Sequence, residues 1–163
     1  VVQAARRLMS KVSATYTKGI TGTATTGIFD ITGQIGLSVD TDGNVGIQGS
    51  WGGGVSTGTP GASIATFSTI TNASVISDLL GEGYQLGCSV GTAVEGVPLS
   101  AGGDLNFIPI PNSNTCYFGL TQSVGLGTPG GEIHGEITKT YNIISFNIYE
   151  NIFKPIYIKI MEW

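Results

Sequence analysis

Positive charge is the first thing missing. From residue 19 to residue 138 the chain has no Lys or Arg, yet that span carries nine acids: Asp30, Asp40, Asp42, Asp78, Glu82, Glu95, Asp104, Glu132 and Glu136. The seven basic residues sit at the ends, at Arg6, Arg7, Lys11, Lys18, Lys139, Lys154 and Lys159. Nucleic acid demands a basic face that releases counterions, so DNA or RNA is excluded as a partner of the body. Charge of either sign is scarce, at 11% of residues against 40% apolar, and that balance excludes a disordered chain. Long hydrophobic runs are missing too. The Ile-rich tail "NIISFNIYENIFKPIYIKIMEW" is broken by Asn, Glu, Lys and Pro155 and is no spanning helix. The opening "VVQAARRLMSKV" carries charge where a secretory signal needs an apolar core. It reads as the start of a fragment or processed piece, with an N-terminal helix or arm over 1–18.

What the chain has in excess is glycine, 26 of 163 residues, about double ordinary usage. Many turns, bulges or close backbone approaches are expected. Period-two alternation is the other strong signal. In "IFDITGQIGLSV", residues 28–39, Phe29, Ile31, Ile35, Leu37 and Val39 share one face, with Asp30, Thr32, Gln34 and Ser38 on the other. Residues 45–55 alternate likewise, with Val45, Ile47, Trp51 and Val55 together. The turn-forming "DTDGN" between them predicts a hairpin. Pairing Val39 with Val45 sets Leu37 against Ile47, Ile35 against Gly49 and Gly33 against Trp51, which puts every apolar residue on one face. The expectation is that this face is core and that the Trp51 indole covers the bare backbone of Gly33.

Further strands are expected at 62–71, 84–91, 103–110, 115–126 and 132–144. The segment "NASVISDLLGEG" is the only helical candidate in the body, with Asn72 or Ser74 as cap and Gly81 as stop. Many short strands with Gly/Pro turns predict one all-β domain over 1–163. Its form is an antiparallel Gly-rich barrel or sandwich with at most one or two short helices, and residues 143–163 form an Ile-rich tail or strand.

Several motifs bear on chemistry. Asp40, Asp42 and Asn44 take alternate positions as in a calcium loop, but Val45 stands where the loop needs Gly and Trp51 where it needs the bidentate acid. A hairpin turn is preferred. "GCSVG", 87–91, fits the nucleophile-elbow pattern around Ser89, with Asp104 and His134 following in hydrolase order; the helix that should follow the serine is missing. "GLGTPG", 125–130, matches a dinucleotide fingerprint by letters only, since strand-like residues follow it. Glu132, His134 and Glu136 fall on one strand face and are candidates for metal binding or acid–base work; a solvated face is the preferred reading. Cys88 and Cys116 are a candidate disulfide in an oxidising compartment. "NAS", 72–74, would accept a glycan only in a eukaryotic secretory route. No cofactor is expected.

The run "GNVGIQGSWGGGVSTGTPGASIATFSTITNASVISDLLGEGYQLGCSVG", with the later "GEIHGEITKTY", resembles the variable C-terminal regions behind rearrangement-hot-spot (YD-repeat) cores of bacterial polymorphic-toxin-type proteins. The resemblance covers about residues 26–141 and rests on glycine patterns. It implies a secreted bacterial setting, toxin-type activity, a chain start made by cleavage, and the repeat core of the same precursor as a neighbour. It supplies no catalytic residues. "GITGT", 19–23, also resembles the start of the biotin-binding barrel of streptavidin.

Three classes of function follow. The first is a secreted or cell-envelope β domain of toxin type that acts on a membrane surface without enzymatic chemistry. The second is a soluble adhesion module that grips a glycan or protein through Trp51 or loops such as 52–61 and 110–115. The third is a hydrolase using Ser89 or the His134 face.

Overall fold

Eight strands close into one antiparallel barrel in a computed structural model that describes residues 13–153. In chain order they are β1 (Thr15–Thr25), β2 (Phe29–Asp40), β3 (Asn44–Gly58), β4 (Gly61–Thr71), β5 (Gly81–Val94), β6 (Val97–Pro109), β7 (Cys116–Gly127) and β8 (Gly130–Asn147). The all-β expectation holds, and the form is the barrel. The expected helix or arm over 1–18 lies outside the described residues up to residue 12, and so does the tail from 154 onward. Residues 15–18 belong to β1. The body's helical candidate is a single 3-10 turn, Ile76–Leu79. Its cap is Val75, without a side-chain bond, so neither Asn72 nor Ser74 caps it. Gly81 does end the segment, at φ +98°, which few side chains tolerate.

Around the barrel the strands run β1-β2-β3-β8-β5-β6-β7-β4. This is two four-stranded Greek keys, ordered 4-1-2-3 and 8-5-6-7, joined by the β3–β8 and β4–β7 ladders. Because all neighbours are antiparallel, the connections sort to two ends. At one, the crossing end, lie the short links 26–28, 59–60, 95–96 and 128–129. At the other, the terminal end, lie 41–43, 72–80, 110–115 and the two ends of the described chain. The two crossings that leave β3 and β7 abut, with Thr59 N donating to Gly131 O and Thr128 N to Ala62 O. At the terminal end the 3-10 turn packs Ile76 and Leu79 into the barrel mouth.

The predicted hairpin register is the observed one: Val39 opposes Val45, Leu37 opposes Ile47, Ile35 opposes Gly49 and Gly33 opposes Trp51. The side it faces is reversed. Ile31, Ile35, Leu37, Trp51 and Val55 point outward, and Asp30, Thr32, Ser38, Gln48 and Ser56 point into the lumen and are buried. The same inversion runs round the whole barrel. Among the described residues, five apolar side chains are buried, against thirteen buried polar ones and thirty-two exposed large apolar ones. Trp51 is 60% exposed. Nothing lies within 4 Å of where a Cβ on Gly33 would stand, so the indole does not cover that glycine.

A polar lumen is stable only if its groups find one another. Thr17 and Ser38 share a hydrogen bond of 2.8 Å, Ser38 donates to Gln48 (2.7 Å), and Gln48 donates to the Ile76 carbonyl (2.9 Å). On the opposite wall Asn106 donates to Thr121 (2.8 Å), which also bonds Thr69 (2.6 Å). Side chains fill most of the interior, as eight strands predict. Spaces of about 90, 40 and 40 Å³ remain between the lumen side chains.

Candidate functional site: a buried acid–histidine row inside an apolar belt

The ionisable groups of the lumen converge on β8. Glu132, His134 and Glu136 do share one face, as the sequence predicts, but that face is the interior and not solvent; His134 and Glu136 are buried. The correction follows from the inversion: the alternate residues Ile133 and Ile137 are the exposed ones. Acids from two strands away reach this strand from both sides. Asp30 of β2 is in row with Gly54 of β3 and Glu136 of β8. Asp104 of β6 is in row with Gly87 of β5 and His134 of β8.

In both rows the middle residue is glycine, and the space needs it. A Cβ on Gly54 would collide with the Gly135 carbonyl, and one on Gly87 with Asp104 Oδ1, at 2.8 Å from His134 Nε2. The bare backbone lets the outer side chains meet across the intervening strand. His134 Nε2 lies 3.0 Å from Asp104 Oδ1, and its Nδ1 lies 3.5 Å from Glu132 Oε1. Ser89 donates to Glu132 (3.2 Å) and Thr32 to Glu136 Oε1 (2.7 Å). Burial, with the Asp30 carboxyl beside it, pushes the Glu136 carboxyl up to about 7. Among the described residues neither Asp30 oxygen nor Glu136 Oε2 has a hydrogen-bond partner.

The chemistry open to this row is limited. Ser89 lies inside regular β5, not on a strand-to-helix turn, and its hydroxyl goes to Glu132 and not to His134. Asp104 and His134 do meet, but without a serine in line. Among the described residues no three His, Cys, Asp or Glu side chains are grouped to hold a metal ion. At the hairpin, Asp40 spends its carboxylate on the backbone N–H groups of Asp42, Asn44 and Ile76 and on the Asn44 amide, which makes it a turn organiser. Cys88 and Cys116 are both free thiols, with Cys88 exposed on the outer face. The row can hold protons and fix strand positions.

The outer surface is the other half of the site, and sequence reasoning assigned it to the core. Tyr84, Phe107 and Phe118 form one cross-strand row towards the terminal end, with Phe107 and Phe118 edge to face at 5.5 Å. Tyr16, Tyr141 and Phe146 extend the aromatic set around the same end. Lys139 places its ammonium 5.8 Å from the Tyr141 ring centre and opposes Glu82.

No family model matches the chain, and no curated protein does. Among solved structures, the virulence-associated protein VapB from the intracellular pathogen Rhodococcus equi aligns with a TM-score of 0.35 at 13% identity, over 79% of this chain and 98% of that one. Similarity at that score carries no argument about this chain.

Proposed function

We propose that this chain is an envelope-active β domain whose barrel spans a lipid bilayer and acts without enzymatic chemistry of its own. The observation that carries the reading is the inverted polarity: a lumen lined by Thr, Ser, Gln, Asp, Glu and His, and an outside made of Ile, Leu, Val and aromatics. In water the exposed apolar area has no partner; in hydrocarbon it is the correct surface, and a closed barrel leaves no backbone group unpaired. The dimensions agree. A spanning strand needs about 9–11 residues, and the strands here have 11 to 18. At a tilt near 40° an 11-residue strand covers about 28 Å, enough for an apolar band of about 25 Å. Within this reading, the secreted bacterial toxin-type setting implied by the repeat-core resemblance gives the barrel a target membrane, and the filled lumen points away from solute passage.

One observation favours a second reading. Greek-key order with crossing links occurs in soluble β modules, whereas spanning barrels are typically up-and-down. On that reading the belt would be covered by a protein or glycan partner. Flotation separates the two: urea-solubilised full-length chain diluted into phosphatidylcholine vesicles should float with them and resist carbonate extraction. A monodisperse, folded monomer in plain buffer that stays at the bottom of the gradient would overturn the membrane reading.

A further inference from the structure

The charged residues outside the lumen are distributed unevenly between the two ends. Asp40, Asp42, Asp78, Glu82 and Glu150 lie at the terminal end, with Lys18 four residues into β1 and Lys139 opposite Glu82. At the crossing end, among the described residues, the only charge outside the lumen is Glu95. Its links are two or three residues long, spelled TGI, TP, EG and TP, and are flanked by exposed Ile28, Phe29, Val94 and Val97. The aromatics are divided in the same way. Tyr16, Tyr84, Phe107, Phe118, Tyr141 and Phe146 lie towards the terminal end, and Phe29 is the aromatic of the crossing end.

The geometry points to a fixed direction of insertion: the barrel enters a phospholipid bilayer crossing end first, and its aromatic–lysine collar and both ends of the described chain stay on the side of approach. This rests on the membrane reading and adds its polarity. Carrying a charge through hydrocarbon is costly, and the crossing end has one to carry where the terminal end has at least seven. Tyr and Lys near a strand end settle where apolar and wet phases meet, so the collar stops the barrel at the interface.

The test uses single-cysteine full-length variants carrying an NBD fluorophore, added to preformed phosphatidylcholine vesicles. Native Cys88, with Cys116→Ser, reports the belt. Ile28→Cys and Asp42→Cys, each with Cys88→Ser and Cys116→Ser, report the two ends. Brominated lipid should quench the Cys88 probe, which checks the membrane reading by itself. Dithionite added outside should then bleach the Asp42 probe and spare the Ile28 probe until detergent opens the vesicles. If Cys88 is quenched but the Ile28 probe bleaches and the Asp42 probe survives, or both bleach alike, the direction is refuted and the membrane reading stands. If Cys88 is not quenched, the membrane reading fails and the direction fails with it.

Discussion

Gly87 is where the buried row can be tested most directly. It lies on β5 between Asp104 and His134, and a methyl group there would strike Asp104 Oδ1 and approach His134 Nε2 to 2.8 Å. Its φ is not in the left-handed region, so backbone strain does not enter and the methyl alone is tested. Gly87→Ala must therefore separate the 3.0 Å Asp104–His134 contact or push β5 off its neighbours. Breaking a buried hydrogen bond costs about 1–3 kcal/mol and overpacking about 1–3, so a loss of about 2–4 kcal/mol is expected. The assay is equilibrium urea unfolding of the refolded chain in detergent micelles, followed by circular dichroism. Asp104→Ala alone should cost a similar amount, because it leaves His134 Nε2 buried without a partner. In that background the methyl meets open space on the Asp104 side, and Gly87→Ala should add less than about 1 kcal/mol. If Gly87→Ala is silent in the wild type, or costs the same in both backgrounds, Asp104 does not lie over Gly87 and the row is wrongly drawn.

Gly33→Ala, on the outer face with nothing near its would-be Cβ, should be neutral or stabilise by up to about 0.5 kcal/mol, and its effect should add to that of Trp51→Ala in the same unfolding assay. Coupling beyond about 0.5 kcal/mol would bring the indole back over the glycine. Glu136→Gln keeps an acceptor for Thr32 and gives Asp30 a permanent N–H donor, so it should hold or gain stability at pH 8, whereas Glu136→Ala should lose about 2–4 kcal/mol. Equal losses in the two variants would argue against Glu136 facing Asp30 in the lumen. In a Trp163→Phe chain, Trp51 emission should shift to the blue on adding vesicles and be quenched by brominated lipid; unchanged emission would place the belt in water or under a protein.

Period-two alternation made the strands and the β2–β3 register legible, because a one-residue slip would have scattered Leu37, Ile47 and their neighbours over both faces. Alternation is blind to which face turns inward. The same pattern serves a soluble barrel and its inside-out counterpart, and the habit of placing Ile and Trp in the core put Trp51 on the wrong side. β1 escaped notice because "TYTKGITGTAT" has only Tyr16 and Ile20 as large apolar outward residues, with Thr17, Lys18 and Gly19 between them. On β8 the sequence showed that Glu132, His134 and Glu136 share a face. It could not show that Asp30 and Asp104 join them, since those contacts reach across a strand and depend on a non-sequential strand order. A signal was there to use: Asp30 lies between Phe29 and Ile31 without a basic residue anywhere in the body to pair with it. That pattern suits a strand with an apolar outer face and a polar lumen behind it.

The position of β8 also sets a timetable. It is the last of the described strands to be made, yet it fits between β3 and β5, and its Asn147 bonds Asn44, 103 residues earlier. Until residues 130–147 exist, both neighbours keep an open edge and the buried row lacks His134 and Glu136. A chain cut short before β8 is not a smaller barrel but a sheet with sticky edges. Closure must wait for contacts of very long sequence separation, the slow kind. The seven earlier strands therefore stay unsealed through their own synthesis, and the cylinder with its apolar exterior comes into being only once β8 has slotted between β3 and β5.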